Sequence, residues 1–109
     1  MRLWVVYEYL VAEAMRRREI FDNLPTYLRR LKEIALKVDP EAEIYLFGSV
    51  ADGRHTYSSD IDILIITEKD RLEMLRALVK EEFTKFFEIH VRKPREAIWY
   101  KRMANLVRI

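Results

Sequence analysis

The sequence predicts a small α+β domain, a mixed sheet of about three strands with helices packed on it. Three observations lead there. The chain has 109 residues, 50% of them apolar and 35% charged, which is enough for one core and too little for two. Stretches with apolar residues three and four apart alternate with short runs rich in Ile, Leu and Phe. A helix-period stretch separates the second of those runs from the third, and such a crossover joins parallel neighbours with a right-handed connection.

Each element has its own signal. Leu3, Tyr7, Leu10 and Ala14 step by four, three and four, so a helix is expected from Leu3 to Phe21, with Arg16, Arg17 and Arg18 favourably placed near its C-terminal end. Asp22-Asn23-Leu24-Pro25 interrupts the pattern, and Pro25 suits the first turn of a new helix. Leu24, Tyr27, Leu28, Leu31, Ile34, Ala35 and Val38 mark that helix's apolar face, and Asp39-Pro40 stops it. Glu43–Phe47 reads as a short strand and Gly48–Ser59 as a loop with at most one helical turn. Asp60–Thr67 is a second strand, apolar on both faces after its first residues and therefore central. Asp70 with Glu73 caps a third helix whose buried face is read as Leu72, Leu75, Leu78 and Val79. Phe86–Arg92 is a third strand, and Pro94 opens a last helix to Met103 that buries Ala97 and Ile98, with Trp99 beside them. The loop between the first two strands lets them run antiparallel.

Composition excludes several classes. There is no cysteine, hence neither a disulfide framework nor a thiolate metal site. The apolar segment Leu3–Val11 is interrupted by Glu8 and carries no basic leader or small-residue cleavage site, so neither a signal peptide nor a membrane span is expected, and the cytoplasm is the expected location. The net charge is only +2, but acids dominate from Asp39 to Glu73 and bases from Arg92 onward. That division suits a site that holds cations and meets a polyphosphate. Glutamine is absent and Lys, Arg and Glu are abundant, the mix expected of a thermophile's protein.

Chemistry concentrates between Phe47 and Ile66. Gly48 and Ser49 end the first strand, and Asp60 and Asp62 begin the second. Strand residues two apart share a face, which sets these carboxylates about 7 Å apart along the backbone. Paired carboxylates repel unless a cation sits between them, and hard oxygen donors favour Mg²⁺ or Mn²⁺. Gly48 permits close backbone approach, and Ser49 offers an amide and a hydroxyl to phosphate oxygens. In Phe86–Val91 the carboxylate of Glu88 shares a face with His90, and parallel pairing brings it beside Asp60 and Asp62 as a third ligand for a pair of metal ions. On an edge strand Glu88 would instead be an ordinary surface residue. His90 reads first as a packed or exposed histidine within hydrogen-bonding reach of Glu88, His55 as an exposed loop residue, and Arg54 equally as a phosphate contact or a solvated loop arginine. Trp99 and Tyr100 read as core and interface.

Gly48-Ser49, ten residues, then Asp60-Ile61-Asp62, framed by Phe47, Val50-Ala51, Gly53-Arg54 and Ile63-Leu64, resembles the nucleotidyltransferase superfamily with the DNA polymerase β-like palm, and within it the minimal nucleotidyltransferase family. The resemblance covers Leu24 to Met103, with residues 1–22 as an added N-terminal helix to a single domain of residues 1–109, core 24–103. It implies metal-dependent transfer of a nucleoside monophosphate, AMP from ATP, to a hydroxyl acceptor. Asp60, Asp62 and Glu88 would be the catalytic metal ligands, two Mg²⁺ or Mn²⁺ ions the cofactor, and Gly48, Ser49 and Arg54 the nucleotide contacts. One departure stands out: the third acid is usually Asp in the superfamily, and here it is Glu88. The chain leaves no length for an acceptor-binding domain, so the acceptor belongs to another chain, which in the minimal family is a helical HEPN protein, in some pairs a toxin with the transferase as antitoxin. Two other readings remain beside this one: a nucleotide- or partner-binding module of the same fold with weak or lost catalysis, and an assembly protein, whether a homo-oligomer or not, built on the first helix and the basic C-terminal segment.

Overall fold

The computed structural model describes residues 2–109. It opens with helix α1 (Leu3–Asp22) and helix α2 (Leu24–Val38), joined at Asn23, whose backbone N–H closes onto the Glu19 and Ile20 carbonyls. Pro25 occupies the first turn of α2, where no intrahelical N–H is needed. Strand β1 (Glu43–Phe47) runs into a one-turn helix α3 (Gly48–Ala51), then a loop, then strand β2 (Ile61–Ile66). Helix α4 (Arg71–Val79) is capped as expected: the Asp70 carboxylate accepts a hydrogen bond from the Glu73 amide. A 3-10 turn (Glu82–Phe86), strand β3 (Phe87–Arg92), helix α5 (Pro94–Met103) and strand β4 (Val107–Arg108) complete the chain.

The sheet has four strands in the order β3-β2-β1-β4, one more than expected. The addition is β4, which pairs antiparallel with β1 through Tyr45 and Leu46; two residues are too few to show a period. The expected pairings hold: β1 runs antiparallel to β2, and β2 parallel to β3 across the α4 crossover. One sheet face, carrying Ile44, Ile61, Ile63, Ile65, Phe87 and Val91, packs on α2, α4 and the last turns of α1 in the main core. The other face carries Leu64 and Ile66, covered by Ala97 of α5 with Tyr45, Phe47 and Tyr100 around them.

Helix α2 buries the stripe read from its sequence, with Tyr27, Leu31 and Ala35 innermost. Helices α4 and α5 follow theirs only in part, through Leu78 and Ala97, both buried, and Leu75, partly buried against the core. The buried residues of α4 are Met74 and Leu78, one turn apart, while Leu72 and Val79 are exposed. A short helix touches its neighbours along a narrow stripe of positions three and four apart, here Met74 and Leu78 with Leu75 partly buried beside them. In α5 only Ala97 is fully buried; Ile98 and Trp99 face solvent. The small Ala97 lets the helix backbone approach Leu64, which turns its larger neighbours outward.

Candidate active site

The register of the sheet assembles the site. Phe47 lies opposite Asp62 in the β1–β2 ladder, so Gly48, next along the chain, lands against the Asp62 side chain. Gly48 has a φ of +76°, in the left-handed region that side chains rarely adopt, and a Cβ there would overlap the Asp62 carboxylate. Asp62 lies opposite Glu88 in the parallel β2–β3 ladder, so the two carboxylates stand side by side on the same sheet face. His90 follows on that face, two residues along β3. The result is a cluster in which one ligand atom each from Asp62, Glu88 and His90 lies within 4.8 Å of the others.

Strand β3 is the sheet edge, and the Glu88 side chain is 58% exposed. Glu88 is thus at once a neighbour of Asp62 and an exposed residue of an edge strand. Asp60 stands apart from the cluster. It precedes β2, is exposed, and its Oδ1 lies 3.9 Å from the Arg17 guanidinium of α1, which also donates a 2.9 Å hydrogen bond to the Ser59 carbonyl. Arg54 lies in the loop, its guanidinium 3.0 Å from the Asp52 carboxylate and its backbone N–H donating to the Ser49 carbonyl at 2.9 Å. His55 stacks on Phe21 of α1 at 5.3 Å.

Electrostatics mark Asp62 as the strained member. Its carboxyl is pushed up to about 6 from the ordinary 3.8, by burial first, then by the adjoining Glu88, then by Asp60. Nothing positive offsets these acids within the cluster. His90 is shifted the other way: burial holds its imidazole below the usual range, favouring the neutral ring. Its Nδ1 is 3.1 Å from the Tyr100 hydroxyl, and Phe47 packs edge-on against the ring at 5.2 Å. Its Nε2 is closed off from solvent and 3.5 Å from Glu88 Oε1, yet makes no hydrogen bond. A buried nitrogen without a partner, facing two carboxylates without a counter-charge, fits a divalent cation.

Sequence reasoning undervalued two residues. His90 was visible two positions from Glu88, but its unpartnered nitrogen is not. Tyr100 supports that ring from α5 rather than belonging to the core alone. Arg17 left no signal at all, since 42 residues separate it from Ser59.

Comparison with known proteins agrees with this fold. Residues 28–104 match the nucleotidyltransferase domain family, and the chain belongs to it. A crystal structure of a candidate nucleotidyltransferase is similar to it at 34% sequence identity, with a TM-score of 0.59, covering 76% of this chain and 97% of the other. The mixed α+β fold is therefore a nucleotidyltransferase fold. No curated protein matches the chain. All of α1 precedes the segment that the family matches.

Proposed function

We propose that the chain is a minimal nucleotidyltransferase that transfers a nucleoside monophosphate, AMP from ATP, to a hydroxyl presented by another chain. The observation that carries this reading is the juxtaposition of three strand ends: Gly48 against Asp62, and Asp62 beside Glu88. Asp62 and Glu88, with Asp60 at the strand's start and His90 Nε2 alongside, would hold divalent ions, Mg²⁺ or Mn²⁺. When bound, these ions stabilise the charge of the triphosphate and lower the pKa of an attacking hydroxyl. The chain's own part is placement. Gly48, having no side chain, lets the triphosphate approach the carboxylates, and Ser49 offers its amide and hydroxyl to the β- and γ-phosphates. Tyr100 and Phe47 fix the His90 ring so that Nε2 faces Glu88. Arg54, freed from Asp52, reaches phosphate from the loop. A helical HEPN chain would supply the hydroxyl, in the manner of a toxin and its antitoxin.

One observation favours a second reading, a nucleotide-binding module with weak catalysis: the Asp60 carboxylate faces Arg17 rather than the cluster. Pyrophosphate release from ATP with Mg²⁺ or Mn²⁺, with and without the neighbouring gene's product, separates the two. Turnover that falls by about a thousandfold or more in Asp62→Asn supports the transferase, because a lost ligand costs several kcal/mol of transition-state stabilisation. ATP binding without turnover under every pairing would leave the binding module.

A further inference from the structure

We propose that α1 is a self-association surface through which two copies of this chain pair antiparallel, independently of the nucleotide reading. Every residue from Arg2 to Ala12 is exposed; the first partly buried position is Glu13, bound to Lys85 at 2.9 Å. From there the helix is tied to the body, by Arg17 to the Ser59 carbonyl and by Ile20 in the core. Its first turns run past the body, and the molecule measures 48 Å along its long axis against 29 and 24 Å. The radius of gyration is 15.2 Å. A compact chain of this length would have about 13 Å.

The free part of α1 is apolar on most sides. Leu3 is 87% exposed, Tyr7 69%, Met15 68%, and Trp4, Tyr9 and Leu10 more than half. Taking about 200 Å² for a large side chain, these six residues together expose about 800 Å² around the helix, above the apolar patches of ordinary monomers and comparable with one partner's share of a standard dimer. Among the described residues no helix is long and apolar enough to cross a membrane, so this surface is not a span. Water is a poor neighbour for it.

The pattern along the helix specifies the occupant. Trp4, Glu8, Val11, Met15 and Arg18 step by four, three, four and three, the spacing of one coiled-coil seam, and all five are exposed. The seam has an acid toward one end, a base at the other and apolar residues between. Laid antiparallel on a second copy, with Val11 beside Met15, it sets Glu8 of each chain against Arg18 of the other. In a parallel pair Glu8 would meet Glu8 and Arg18 would meet Arg18. Such self-complementarity is the requirement of a two-fold interface, in which the same patch serves both partners. Arg18 keeps most of its surface free for it: its side chain is 69% exposed, with Asp22 at 3.8 Å and the Tyr57 ring centroid at 5.3 Å as its neighbours.

Sedimentation velocity of the full chain from about 1 to 200 µM tests this, since these concentrations span the ordinary affinities of such interfaces. A particle of twice the 13.2 kDa chain mass is expected. Met15→Glu is expected to weaken it at least about tenfold while leaving the melting temperature of the monomer nearly unchanged, because Met15 is mostly exposed there. Glu8→Arg and Arg18→Glu should each weaken it as well, and the double charge reversal should restore it. A monomer throughout the range, a dimer indifferent to Met15→Glu, or a double variant no better than the single ones would each overturn the proposal.

Discussion

The two sides of strand β2 carry opposite tasks. Ile61, Ile63 and Ile65 point into the main core and have no exposed surface. Asp62, Leu64 and Ile66 point the other way; Leu64 and Ile66 are sealed by α5, and Asp62 lies beyond that cover, beside Gly48 and Glu88. Alternate residues of one strand thus hold the protein together or build its site, and the site begins where the covering helix ends. The inward side gains from burial. The outward side stores a cost, because Asp62 loses hydration next to a like charge and gains no counter-ion from the protein. The polypeptide can tolerate that cost because the isoleucines on the reverse of the same strand are so well packed.

Three substitutions probe that division, from the largest expected effect on folding to the smallest. Ile63→Ala should lower the unfolding free energy by about 2–5 kcal/mol in a urea titration, the range for opening a cavity in a closed core, while leaving nucleotide affinity of the folded fraction intact. Gly48→Ala crosses the division, since its methyl would press on Asp62 and its φ is positive. It should cost about 1–3 kcal/mol and lower pyrophosphate release at least about tenfold. Asp62→Asn should do the reverse to stability. Because the folded carboxyl titrates near 6 and the unfolded one near 3.8, the native state binds more protons between those values, and stability falls as pH rises through that window. The asparagine variant has no such loss, so its melting temperature should equal that of the wild type near pH 4 and exceed it by a few degrees above about pH 6. Adding Mn²⁺ at neutral pH should raise the wild type alone and narrow the gap. A wild type more stable than the variant at neutral pH without added cation would contradict the account of Asp62.

The sequence made the inner architecture legible where one face was buried for its whole length. The α2 stripe from Leu24 to Val38 and the parity of β2 and β3 came through, because a long amphipathic face and a strict alternation leave little choice. The crossover rule placed Glu88 on the strand next to that of Asp60 and Asp62, but the register that sets it opposite Asp62 has no signal in the sequence. The outcome was different where contact is narrow: in α4 and α5 a single small or flexible residue, Ala97 or Met74, decides which neighbours turn out. The stripe Leu3, Tyr7 and Leu10 in α1 is a real helical signal, but nothing local says whether the body extends far enough to cover it. The fold position of Asp60 was equally hidden, since it depends on an arginine distant in the chain.

The β1–β2 ladder has a consequence for the motif itself. Phe47 is held opposite Asp62 by strand pairing, so the contact between Gly48 and Asp62 does not depend on how many residues the loop between them contains. Lengthening that loop at its exposed tip near Gly53 would add only a few tenths of a kcal/mol in closure entropy, doubling it about 0.6 kcal/mol. The ten-residue interval between Ser49 and Asp60 is therefore a property of the loop and not a dimension of the chemistry. A homologue with an insertion there would keep the same glycine pressed on the same carboxylate and escape any search written around that interval.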